Sequence, residues 1–129
     1  MFKLLVPNIV YKITCIECEK AKIKANYYGE TSFNGYTRGV QHQQKYRSKN
    51  KATQEKSSMR KHEKGVHNDK KVIYKLEVLK IFKNNYLGRQ VYESVQIVKS
   101  KTEDTYPLND KNEFNQAMNI TGKYYKGVF

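Results

Sequence analysis

Residues 27 to 42 constrain the fold more than any other stretch. Tyr27-Tyr28-Gly29-Glu30-Thr31-Ser32 reads as a strand ending in a glycine turn, and Tyr36-Thr37-Arg38-Gly39-Val40-Gln41-His42 reads as the start of a basic helix. Arg38 and His42, four residues apart, share one face of that helix. A strand that runs straight into a helix brings a tyrosine, an arginine and a histidine to one place. Upstream, Ile9-Val10-Tyr11-Lys12-Ile13 alternates as a second strand, and the break at Thr14-Cys15-Ile16-Glu17-Cys18 followed by extended character from Ile23 makes the pair a hairpin with an elaborated tip.

The remaining pattern completes a small unit. Thr31 or Ser32 is expected to cap a helix over 34–48 that buries Tyr36, Val40 and Tyr46 and keeps Arg38, His42, Lys45 and Lys49 on its polar face. Residues 49–57 lack apolar periodicity and read as a loop, and a short helix through Ser58–His62 ends at Gly65. Val72 to Phe82 is the longest β-like run and suits a central strand. Leu87, Val91, Val95 and Val98 recur at helical spacing as a core stripe, which leaves Glu93 on another side of that helix. Residues 102–129 read as an irregular C-terminal segment. A chain of 129 residues supports one core, so a single domain over 1–129 is expected.

Charge narrows the partner. The 25 Lys and Arg against 12 Asp and Glu give +13, which points to a polyanion. A merely solvated basic surface or an anionic membrane fits the same charge, because composition alone names no chemistry. No segment approaches the ~20 apolar residues of a membrane span, and Met1–Pro7 is too short for a signal peptide, so an intracellular protein without a membrane partner is expected. There, Cys15 and Cys18 favour a metal or redox role over a disulfide. Together with His62 and His67 they match the Cys-x₂-Cys and His-x₃₋₅-His spacings of tetrahedral zinc sites; a redox thiol pair and ordinary surface histidines are the competing readings.

Val10-Tyr11, Tyr27-Tyr28-Gly29, Arg38, His42, Glu93 and Asn109 follow one another as do the signature positions of GIY-YIG endonucleases, and the chain resembles that family over nearly its whole length. Asn8 and Ile9 stand before Val10 in place of Gly-Ile, and Tyr28 replaces an aliphatic residue; both changes suit a strand. A closer likeness is to the GIY-YIG domains of Penelope-like retroelements and other mobile or viral elements, whose Cys-x-x-Cys and later His pair correspond to Cys15, Cys18, His62 and His67.

This resemblance implies an α+β domain, a three-stranded antiparallel sheet flanked by helices, that hydrolyses DNA phosphodiesters to a 5′ phosphate and a 3′ hydroxyl. Glu93, the only matching acid, would hold one Mg²⁺ mostly through waters and substrate oxygens. Arg38 would clamp the scissile phosphate, Tyr11 would act as base or proton relay, Tyr27 would hold the water or a phosphate oxygen, and His42 would reach the same phosphate or Tyr11. Asn109 would fix the end of the Glu93 helix or a phosphate, while Lys12, Gly29, Lys45 and Arg89 would contact the substrate, Arg89 alternatively tethering Glu93. Zn²⁺ at the Cys/His set would be structural. One site cuts one strand, so double-strand cutting would need a transient dimer. Taken singly, the tyrosines also fit a packed core, Glu93 and Arg38 a solvated surface and Asn109 a turn. The rival functions are a catalytically inactive nucleic-acid-binding module and a nuclease acting on RNA.

Overall fold

The computed structural model of the chain describes residues 2–109. A 3₁₀ turn at Phe2–Leu5 leads into β1 (Ile9–Cys15), α1 (Ile16–Lys20), β2 (Ala25–Thr31), α2 (Gly35–Tyr46), α3 (Lys51–Glu55), α4 (Ser58–Val66), β3 (Tyr74–Ile81), α5 (Tyr86–Glu103) and β4 (Tyr106–Pro107). The class is α+β. The sheet has four strands in the order β3-β1-β2-β4 rather than the expected three. β1 pairs antiparallel with both β2 and β3, and β4 runs parallel to β2, so the sheet is mixed. A two-residue strand is too short to leave a period-two pattern in the sequence. Pro107 is compatible with it because β4 lies at an edge, where the missing N–H costs no ladder bond.

β1 is central and buried on both faces through Ile9, Val10, Tyr11, Ile13 and Cys15. β3, expected at the centre, is an edge strand. Its Lys75, Glu77 and Lys80 explain the placement, since charges blunt an exposed edge, while branched and aromatic residues fit any half-buried strand. Gly29 lies inside β2 and not in a turn after it.

Helix starts follow capping chemistry. Asn34 caps α2 by accepting from the Thr37 amide at 2.7 Å, so neither Thr31 nor Ser32 is the cap; Thr31 instead accepts from the Phe33 amide. Tyr36, expected inside, is 64% exposed, whereas Tyr46 packs edge-on against Tyr74. Residues 49–57 contain the short helix α3, capped by Asn50, and α4 runs past Gly65 to Val66.

The two sheet faces differ. Ile9, Tyr11, Ile13, Cys15 and Tyr27 pack against Met59 of α4 and the partly buried Tyr46 of α2. The opposite face carries Lys12, Thr14, Asn26, Tyr28 and Glu30, and α5 meets it with Arg89, Gln90, Ser94, Ile97 and Ser100 buried. The expected core stripe is therefore turned outward: Leu87, Val95 and Val98 are exposed. A polar sheet face selects the polar side of its helix. The irregular segment expected over 102–129 is helical to Glu103 and docks along β2 through 106–109; residues 110–129 lie outside the described part.

Candidate functional site

Strand alternation and one helix turn assemble the first cluster. Tyr11 leaves β1 toward α2, where Arg38 and His42 sit one turn apart. Arg38 Nε donates to the Tyr11 hydroxyl at 3.1 Å, and the same hydroxyl is 2.8 Å from His42 Nε2. With Arg38 donating to the phenol oxygen, the phenol proton is directed at the imidazole. Tyr27, on the next strand, packs edge-on against His42 with centroids 5.2 Å apart. Arg38 is further held by Gln41, whose Oε1 accepts from Nη1 at 3.1 Å.

The electrostatics suit a neutral imidazole. Burial, then the charges of Arg38 and Lys45, pull His42 down to about 3, so at neutral pH it is uncharged and accepts the phenol's hydrogen bond. Arg38, His42, Tyr27 and Lys45 open onto a cavity of ≈ 100 Å³ closed on its far side by Ser57, Ser58 and Met59. Tyr11 itself is fully buried.

The other expected residues stand elsewhere. Lys12 points to the opposite sheet face, into a cleft with Glu19, Glu103 and Asp104. Gly29 is buried opposite Tyr11, and what it supplies is room: a Cβ there would fall on the Tyr11 hydroxyl. Arg89 is not available to grip a substrate, since it is 5% exposed, donates to Asn8 Oδ1 at 2.8 Å and lies 2.5 Å from Glu30, an ion pair without hydrogen-bond alignment. The carboxylate it tethers is Glu30 and not Glu93. Glu93 is half-buried on α5, one turn after Arg89, in the sector that faces the sheet. Asn109 holds β2, its carboxamide accepting from the Tyr28 amide and donating to the Tyr28 carbonyl, both at 2.8 Å, and so continues the edge pairing that β4 begins. It reaches α5 through Lys101, which donates to its carbonyl at 3.5 Å.

A second cluster lies at the other end of β1. Cys15 ends the strand, Cys18 lies on α1, His62 on α4 and His67 just after it. Their Sγ and Nε2 atoms all fall within 4.8 Å of one another, with His62 and His67 Nε2 3.0 Å apart and Cys–His separations of 3.3–3.5 Å. Ligand bonds of ~2.0–2.3 Å in a tetrahedron place ligand atoms ~3.3–3.8 Å apart, so two thiols and two imidazoles are gathered at the scale of a zinc site. The set can hold a metal. Without one, burial and the neighbouring Cys15 push the Cys18 thiol up to about 12, and burial with the His67 charge lowers His62 to about 4. A bound cation would reverse the thiol's preference and suit the neutral imidazole.

What pattern reading missed is the brace under this cluster. Glu63, fully buried beside His62, accepts from Arg47 Nη1 and Nη2 at 2.9 and 2.8 Å, from Arg60 at 3.0 Å, from the Val72 amide at 3.1 Å and from the Tyr74 hydroxyl at 3.3 Å. Burial alone would raise its pKa; the Arg47, Val72 and Arg60 hydrogen bonds outweigh that and hold it below the usual carboxylate range. The i,i+3 spacing of Arg60 and Glu63 was the only signal in the sequence, and it reads equally as a surface pair.

No helix of the described residues is long and apolar enough to cross a membrane. No family model, curated protein or solved structure matches the chain.

Proposed function

We propose that the chain is a metal-dependent DNA endonuclease of the GIY-YIG type, with Tyr11, Tyr27, Arg38 and His42 as its reacting cluster and Glu93 as its magnesium ligand. The observation that carries this reading is the Tyr11 hydroxyl held between Arg38 Nε and His42 Nε2 beside a basic cavity. A phenol with an unperturbed pKa near ~10 is a poor base at neutral pH. A cation at its oxygen favours the ionised phenol, and the neutral imidazole orients its proton.

The steps follow from these groups. A phosphodiester entering the cavity draws the Arg38 guanidinium toward its oxygens, and this movement uncovers Tyr11 to the attacking water. The phosphate charge offsets Arg38 and Lys45, two of the groups that hold His42 neutral. Tyr11 takes the proton from that water as it passes its own to the imidazole so released, while Arg38 and Lys45 stabilise the charge growing on phosphorus. Tyr27 orients the water or a phosphate oxygen. Glu93 lies on α5 against the opposite face of the sheet, apart from this cluster, and is assigned the divalent ion that would supply charge for the leaving oxygen on the family resemblance alone. Zn²⁺ in the Cys15/Cys18/His62/His67 set is proposed as structural, because four protein ligands leave no open position for chemistry.

A non-catalytic nucleic-acid-binding module is the second reading, favoured by the full burial of Tyr11. Incubation with supercoiled plasmid and Mg²⁺, with Glu93→Ala alongside, separates the two. Wild-type nicking that the variant loses, while salt-sensitive DNA binding persists, is the expected result; equal cleavage by both removes Glu93 from the site. The same assay on labelled RNA tests the substrate.

A further inference from the structure

The cavity that Arg38 and Lys45 line has a second wall, the start of α4, which the nuclease reading leaves without a role. Ser57 caps this nine-residue helix, its Oγ accepting from the Arg60 amide at 3.5 Å. The next two amides, of Ser58 and Met59, belong to the first helical turn, whose N–H groups have no intrahelical acceptor and carry the positive end of the helix dipole. Neither has an acceptor among the described residues. The Ser58 side chain supplies an independent sign: the residue is 93% buried, lines the cavity, and its hydroxyl has no hydrogen-bond partner among the described residues. The hydroxyl keeps contact with the cavity, where a ligand can complete it.

Lys45 faces the same space from α2, and no carboxylate among the described residues lines it. Two cationic side chains, two free amides and an unused hydroxyl converge on this cavity of ≈ 100 Å³.

We propose that the α4 start is a phosphate subsite: the Ser58 hydroxyl and the Ser58 and Met59 amides, with Lys45, hold the phosphate next to the scissile one on the same strand. Resting on the assignment of Arg38 to the scissile phosphate, this makes Ser58 a positioning residue for the substrate strand. Anion binding by helix N-termini follows the same physics elsewhere.

The experiment uses amide NMR of the full chain titrated with thymidine 3′,5′-bisphosphate, and with inorganic phosphate in parallel. The Ser58 and Met59 amides should shift with both, and the bisphosphate should bind more tightly because it spans both positions. Ser58→Ala lies one residue after the cap and should leave the melting temperature unchanged. It should weaken the bisphosphate about tenfold and raise KM for a short DNA by a similar factor at nearly constant kcat, while Lys45→Ala should do the same with a shallower salt dependence. Shifts confined to residues away from α4, or Ser58→Ala and Lys45→Ala both matching wild type in bisphosphate affinity, overturn the proposal. A protein that never cleaves DNA but shows the α4 shifts overturns the nuclease reading and keeps the subsite.

Discussion

Gly29 faces Tyr11 across the β1–β2 ladder, and the tyrosine hydroxyl occupies the space that a Cβ at position 29 would need. The pairing ties the second motif to the first: the glycine is required because the hydroxyl that meets Arg38 and His42 passes beneath it.

Gly29→Ala should therefore destabilise the fold by ~1–3 kcal/mol, as overpacking does, and displace Tyr11 from His42. Gly39→Ala is the contrast. In the interior of α2 its Cβ would meet Leu76 at an ordinary 3.5 Å, so the better helix propensity of alanine should stabilise by ~0.5–1 kcal/mol. Thermal unfolding of both variants checks the opposite signs, and two changes of the same sign would refute the packing argument.

How far the sequence revealed the site depends on distance along the chain. Arg38 and His42 were placed correctly because helix periodicity relates them directly, and Cys15, Cys18, His62 and His67 because their spacings suit one centre. The face of α5 was inverted, since Leu87, Val95 and Val98 look like a core stripe unless one knows that the sheet beneath presents Lys12, Asn26 and Glu30. Glu63 was invisible for a related reason. Its partners Arg47, Val72 and Tyr74 come from three other segments, and only the fold shows that they share one buried carboxylate.

That carboxylate is a strong point of failure. Glu63→Gln leaves Arg47 and Arg60 without their buried counter-charge, and removing one partner of such a network costs ~3–5 kcal/mol. Glu63→Gln should therefore unfold at a much lower denaturant concentration than Lys64→Gln, whose side chain is exposed and pairs with the exposed Glu55. Equal midpoints would show that the arginines find solvent when Glu63 is gone.

His42 makes stability depend on pH with a definite sign. Its folded-state pKa is lowered from 6.5 to about 3, so between those values the unfolded chain binds a proton that the folded chain refuses. Stability contributed by neutral His42 is fully present above pH 6.5 and is lost as pH falls toward 3, by up to ~1.4 kcal/mol for each unit. Urea unfolding of wild type and His42→Gln at pH 7.5, 6 and 5 should show the wild-type advantage shrinking as pH falls. An advantage that is constant, or that grows in acid, would mean that His42 is charged in the folded protein.

The Cys15/Cys18/His62/His67 cluster joins α1 and the segment after α4 to the end of β1. α1 buries only Cys18 among its five residues, and His67 lies beyond the end of α4. A zinc ion would pin both against the end of β1, the strand that carries Tyr11. It would also hold α4 by its C-terminal end, and so keep the Ser58 end of that helix against the cavity. Purified protein should carry one zinc per chain, and a chelator, Cys18→Ser or His62→Ala should each remove it together with roughly 10–20 °C of melting temperature. Zinc loss should raise KM for a short DNA even where the chain remains folded, because α4 then loses the anchor at its C-terminal end. Metal-free protein that melts and binds DNA unchanged would leave Cys15 and Cys18 as ordinary reduced thiols and the two histidines as their hydrogen-bond partners.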